Sequence, residues 1–177
     1  KKASTKIAIA AWEWPSYFSP EKLLEGIRLS KSKWRRPSPE SAPTNSKAAG
    51  LYMICSLSKH EAEKEGFDDA LMLDYRGYIA EATGANIFFV KNSEIHTPIP
   101  DCFLNGITRQ VVIKIAKENN IKVHESYLEM DFLEGCDEVF LTGTAVEITP
   151  VSCIDNLNFK GREITKFLIS EFKKNIL

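Results

Sequence analysis

The hydrophobic positions of this chain fall into short strand-like runs divided by a few stretches with helical spacing. Ile7-Ala8-Ile9-Ala10-Ala11-Trp12 reads as a strand entered almost at once, and Glu25 to Trp34 as a second. Between Arg36 and Asn45 the prolines Pro37, Pro39 and Pro43 forbid a helix, so a loop runs on to Lys47. From about Ser46 to Lys64, Ala49, Met53, Leu57 and the charged tail His60 to Glu65 fit one long helix that stops at Gly66, with Lys47 at its beginning.

Four short β-type segments follow, Ala70 to Tyr75, Tyr78 to Glu81, Asn86 to Val90 and Glu94 to Thr97. Arg76-Gly77 and Lys91-Asn92-Ser93 are turns between them, and the whole predicts an antiparallel meander. After a loop from Pro98 to Asn105, Gly106-Ile107-Thr108-Arg109 opens a helix to about Asn120. A strand from Ile121 to Glu125 and a helical turn from Glu129 to Glu134 come next. Strands Glu138 to Thr142 and Glu147 to Ile154 then flank Gly143-Thr144-Ala145, and an amphipathic helix spans about Gly161 to Lys174.

Composition narrows the function classes without choosing one. With 177 residues, 44% of them hydrophobic and 27% charged, the chain has the balance of one globular domain. A net charge of −1 gives no footprint for nucleic acid or an anionic membrane, and the one basic cluster, Lys31 to Arg36, is broken by Ser32 and Trp34. No apolar run approaches the roughly 20 residues of a spanning helix. No signal peptide opens the chain, so a soluble, cytoplasmic protein is expected. Cys55, Cys102, Cys136 and Cys153 lie far apart without a CxxC pair, which suits reduced core thiols. His60, His96 and His124 have no metal-ligand spacing, so no metal is expected. The chain does not start with Met and reaches a strand at once, which suggests an upstream domain.

Several positions could carry chemistry. Lys47, on a loop-to-helix junction among small residues, could form a Schiff base if its amine were deprotonated, or be a solvated surface charge. Gly106-Ile107-Thr108 could present free amides and a hydroxyl to an anion at a helix start, or be an ordinary cap. Gly143-Thr144-Ala145 could be an anion nest or a hairpin turn. Glu81, between Tyr78-Ile79-Ala80 and the small residues Ala82-Thr83-Gly84-Ala85, reads as a partly buried carboxylate needing a cationic partner, or as a structural ion pair or a solvated strand end. Trp12, Trp14, Tyr17, Trp34 and Tyr52 could line an apolar pocket or pack a core.

Taken together and in order, four strings resemble the class IV (fold type IV) pyridoxal phosphate (PLP) enzymes. They are Pro43-Thr44-Asn45-Ser46-Lys47-Ala48-Ala49-Gly50-Leu51-Tyr52, Gly77-Tyr78-Ile79-Ala80-Glu81-Ala82-Thr83-Gly84-Ala85-Asn86-Ile87-Phe88, Leu104-Asn105-Gly106-Ile107-Thr108-Arg109 and Gly143-Thr144-Ala145-Val146-Glu147-Ile148-Thr149-Pro150-Val151. The last resembles branched-chain amino acid aminotransferases more than D-amino acid aminotransferases or aminodeoxychorismate lyases. Weaker likeness at Trp14 to Tyr17 and Trp34 to Arg36 extends it over nearly the whole chain.

The resemblance implies an α+β fold, a twisted, largely antiparallel, barrel-like sheet flanked by helices. It makes residues 1–177 the family's PLP-binding large domain, without the smaller N-terminal domain, in a protein that dimerises. It implies that Lys47 holds PLP as a Schiff base and moves the substrate proton, and that Glu81 partners the pyridine nitrogen. Ile107 and Thr108, with Thr144, match the phosphate cup, Leu104 the residue packed on the ring, and Arg36 a basic residue nearby. Thr144 and Ala145 match the turn receiving the substrate carboxylate, while Tyr52, Trp14 and Tyr17 match pocket positions. The reaction implied is ping-pong transfer of the amino group of leucine, isoleucine or valine to 2-oxoglutarate, giving a branched 2-oxo acid and glutamate. One departure is Ala85, which stands where some relatives carry a second glutamate. A non-catalytic fragment with an incomplete site is the rival reading.

Overall fold

In a computed structural model of the chain, which describes residues 4–13 and 17–176, the sheet closes on itself. Its strands are β1 (Ile27–Arg36), β2 (Asp69–Asp74), β3 (Ile79–Ala82), β4 (Asn86–Lys91), β5 (Glu94–Pro98), β6 (Val123–Ser126), β7 (Glu138–Gly143), β8 (Glu147–Ile154) and β9 (Leu157–Asn158). The helices are α1 (Pro20–Glu25), α2 (Tyr52–Lys64), α3 (Ile107–Glu118) and α4 (Glu163–Ile176), and short 3-10 turns occupy Ala49–Leu51 and Met130–Leu133.

Hydrogen bonding runs β3-β2-β1-β8-β7-β4-β5-β6, and an added β3–β4 pairing joins the ends of the first six into a barrel. The segments from β2 to β5 form the expected antiparallel meander. β1 runs parallel to both its neighbours, which a sequence-adjacent strand can do only through a crossover, and α2 supplies it between β1 and β2. Antiparallel pairs predominate, so the fold is the α+β, barrel-like one expected.

Two apolar layers account for the closure. Ile87, Phe89, Leu71, Val139, Leu141 and Val151 fill the barrel. Phe88, Val90, Phe140 and Ile148 point outward against Val112 and Ala116 of α3 and Leu168 and Phe172 of α4. Phe88 and Phe140 are cross-strand partners whose rings stack at 5.0 Å. Because both faces of β4 are covered, it reads as a nearly unbroken apolar run rather than an alternating one. Burying one such ring stabilises the fold by about 1.5–3 kcal/mol. The barrel strand β7 also starts α4: Glu138 accepts hydrogen bonds from the Ile164 and Thr165 amides at 3.0 and 2.8 Å, where the helix dipole favours a carboxylate.

Several sequence expectations are corrected. Residues 7–12 form no strand: they enter none of the described strand pairings, which an extended segment needs to satisfy its backbone, and Ile7 and Ile9 are exposed. α1 was not foreseen, although Ser19 caps it. The second helix starts at Tyr52 rather than Ser46, since Ser46 turns back on Pro43, its hydroxyl donating to the Pro43 carbonyl at 2.9 Å. Lys47 therefore precedes the helix instead of opening it. The turn expected at Glu129 to Glu134 is 3-10, and β9 is an addition. Among the described residues, no helix is long and apolar enough to cross a membrane.

Candidate functional site

Strand register sets the floor of the site. Glu81 on β3 pairs with Asn86 on β4, and Asn86 pairs with Thr142 on β7, so three polar side chains lie abreast at one mouth of the barrel. All three are buried. A cavity of about 200 Å³ opens above them, and Arg36, at the end of β1, enters it from the opposite wall.

Asn86 is the hub of this floor. Its Nδ2 donates to the Leu104 carbonyl at 2.9 Å and lies 3.4 Å from Glu81 Oε2, while its Oδ1 accepts from the Gly106 amide at 3.2 Å. The loop that carries Leu104 is thereby tied to the strands, and α3 is aimed at the cavity. Gly106 is required by this approach, because a Cβ there would stand 2.5 Å from Asn86 Oδ1. α3 begins without a side-chain cap, with Ile107 and Thr108 in the cavity lining. Its first amides and positive dipole end are thus available to an anion.

The electrostatics are unusual for a buried carboxyl. Arg36 Nε is 3.2 Å from Glu81 Oε1, close enough for an ion pair yet misaligned for a hydrogen bond, so that Nε has no hydrogen-bond partner. Arg36 Nη1 donates instead to Cys55 Sγ at 3.2 Å. Burial therefore outweighs Arg36, and the Glu81 carboxyl is pushed up to about 8. Burial likewise raises the Cys55 thiol. Thr142 Oγ1 is a second buried polar atom in the lining without a partner.

Lys47 reaches the same cavity from the loop before α2. That loop is anchored by Thr44, whose hydroxyl donates to the Asp101 carbonyl at 3.2 Å, so the Lys47 and Leu104 loops are held together. Thr144, in the turn between β7 and β8, closes the rim.

Of the residues singled out in the sequence, Lys47, Glu81, Arg36, Leu104, Ile107, Thr108, Thr144 and Tyr52 all border this one cavity. Ala85 does too, as a buried methyl. Tyr17 and Ala145 border instead an adjoining groove of about 790 Å³, which shares Lys47 and Thr144 with the cavity. Trp12 and Trp34 are exposed and line neither space, and Trp14 lies outside the described residues. Asn86, Thr142 and Cys55 were not foreseen. The one sequence signal for Asn86 was a polar residue heading the apolar run Ile87 to Val90.

The amino-transferase class IV family model matches residues 1–154. A probable branched-chain-amino-acid aminotransferase of Rickettsia felis is 44% identical over 157 residues, covering 86% of this chain and 54% of that protein. The branched-chain-amino-acid aminotransferase of Escherichia coli K12 is 43% identical over 155 residues, covering 87% and 50%. Among solved structures, the Escherichia coli branched-chain amino acid aminotransferase superposes with a TM-score of 0.89 at 39% identity, covering 93% of this chain and 56% of that one. An aminotransferase from Brucella abortus bound to the cofactor PLP gives 0.84 at 34% identity, covering 92% and 57%. The chain spans about half the length of the curated relatives it matches. With the family model covering most of its length and the barrel shared at this level of identity, the chain belongs to the class IV aminotransferases.

Proposed function

We propose that the cavity binds PLP and that the protein carrying these residues transaminates branched-chain L-amino acids with 2-oxoglutarate, a step of branched-chain amino acid biosynthesis. The observation that carries the reading is the convergence of an amine, a buried carboxyl and an uncapped helix start on one cavity. The names of the relatives supply the substrate class. We read residues 1–177 as the large domain of such an enzyme, acting as a cytoplasmic homodimer, with a smaller N-terminal domain completing the pocket.

The residues fit the cofactor. Glu81 is a carboxyl that burial holds short of ionisation, so a protonated pyridine nitrogen is the partner that lets it ionise. Arg36 Nε and Thr142 Oγ1 are buried polar atoms awaiting an acceptor or donor. The start of α3 suits a phosphate dianion.

Bound there, PLP would supply an electron-accepting ring that stabilises the substrate after its Cα proton leaves. Glu81 would hold the proton on the ring nitrogen. The Ile107 and Thr108 amides with Thr144 would hold the phosphate, and Leu104 would pack against the ring. Lys47 Nζ would hold the cofactor and, as a free amine, would carry the proton that leaves substrate Cα. The Thr144 and Ala145 amides would receive the substrate carboxylate. Tyr52 and Tyr17 would border the branched side chain, excluding water from it.

The test is reduction with borohydride after incubation with PLP, followed by peptide mapping. A pyridoxyl label confined to Lys47, and leucine turnover with 2-oxoglutarate by the protein supplemented with its N-terminal region, are expected. A label elsewhere, or none, overturns the cofactor reading, whereas turnover of D-alanine in place of leucine overturns the substrate assignment.

A further inference from the structure

Outside the cavity, at the end of the sheet formed by β5 and β6, the fold gathers three metal-ligand side chains. β5 and β6 are parallel, with His96 directly opposite His124. Glu94 precedes His96 by two positions on β5, so the pleat turns both to the same face. The two imidazoles stack with centroids 4.6 Å apart, and His124 Nε2 lies 2.6 Å from Glu94 Oε2. One donor atom from each of the three residues falls within 4.8 Å of the others. Glu94 and His124 are 30 residues apart in sequence, so no short spacing signals the group, and only the strand register assembles it.

We propose that Glu94, His96 and His124 form a site for a divalent transition-metal ion of the zinc class. Two imidazoles and a carboxylate are a donor set suited to such ions, and ligands at about 2.0–2.2 Å from a tetrahedral ion sit roughly 3.4 Å from each other. Glu94 and His124 are each about one-third exposed, which leaves their side chains room to turn toward a shared ion. The carboxylate is already oriented: Lys122 Nζ holds Oε1 at 3.1 Å, leaving Oε2 to face the imidazoles. Phe132 packs against His96 at 5.0 Å between centroids and restricts its ring. Three protein ligands leave a fourth position for water. Lys122, together with Lys91 over the Phe132 ring, places positive charge close by, which weakens the site. An exchangeable ion at micromolar affinity is expected rather than a permanent structural one.

The site is independent of the transaminase reading, and its test needs no cofactor. The probe is Zn2+ titrated calorimetrically into the tag-free, chelator-treated chain, with Co2+ substituted to give a visible d–d spectrum. Binding of one ion per chain is expected. His124→Gln and Glu94→Gln, both at partly exposed positions, should each weaken it at least about tenfold while leaving circular dichroism and PLP labelling unchanged. His60→Gln, on α2, and Cys102→Ser should leave it as it was. Zn2+ binding that survives both His124→Gln and Glu94→Gln, or that disappears in Cys102→Ser, overturns the proposal, and so does the absence of binding at millimolar Zn2+.

Discussion

Arg36 and Glu81 meet 3.2 Å apart inside the mouth of the barrel, and the pair is incomplete, since the guanidinium Nε approaches the carboxyl without a hydrogen bond. A well-made ion pair would depress the carboxyl, yet burial dominates and raises it from 4.5 to about 8. The sign of the resulting pH dependence follows. Between those values the folded cofactor-free protein binds more protons than the unfolded chain, so this contribution to stability is full below about pH 4.5 and is lost as pH rises through about 8.

Urea unfolding of the cofactor-free protein should therefore show a falling midpoint from about pH 5 to about pH 9, a change of up to a few kcal/mol from this group. Glu81→Gln cannot ionise and should flatten that portion of the profile. Equal slopes in the two proteins would mean that another group sets the dependence.

Gly106 sits where the backbone of the α3 start meets Asn86, and a methyl there would come within 2.5 Å of Asn86 Oδ1. Gly106→Ala must push the Asn86 side chain aside, breaking its bonds to the Gly106 amide and the Leu104 carbonyl. A loss of about 1–3 kcal/mol is expected for a buried polar group left without partners, along with weaker capture of PLP. Gly84 lines the same cavity but has open space where its Cβ would go, so Gly84→Ala is the control for stability. Thermal melts and PLP titration of both variants decide it; equal melting temperatures would refute the argument.

What could be read from the chain was what local pattern determines. Ile87 to Val90 shows its burial in its own composition, and the glycine before Ile107 announces a helix start by its position. Glu81 stood out as an acid between apolar and small residues, which left a solvated strand end open until the structure placed it inside. Asn86, Thr142 and Arg36 could not be connected this way, since their meeting depends on register between strands distant in sequence. The false strand at residues 7–12 has the same origin: apolar composition was legible, but whether a partner strand pairs with it was not. Lys47 was identified by resemblance, and its place before α2 depends on the Ser46 to Pro43 turn, where side-chain bonding competes with the helix.

Arg109 supports the site from behind. Although charged, it is only 1% exposed, and its fork holds three segments at once. Nη1 donates to Asn105 Oδ1 at 2.9 Å, and Nη2 to the Pro98 carbonyl at 3.0 Å and Glu125 Oε2 at 2.7 Å. The loop from Pro98 to Asn105, which carries Leu104, is thus clamped to α3 and β6. Arg109→Met keeps much of the volume but leaves the Pro98 carbonyl and the Asn105 side chain without their donor, while the half-exposed Glu125 can return to water. A loss of about 2–4 kcal/mol is expected by urea denaturation. Arg109→Lys should recover little of it, because one ammonium cannot span the three acceptors of the planar fork. Hydrogen exchange should quicken in residues 98–105 before it does in β4, and PLP affinity should fall while the borohydride label remains on Lys47. A cost under about 1 kcal/mol, or exchange that quickens uniformly over the barrel, would show that Arg109 does not hold this loop in place.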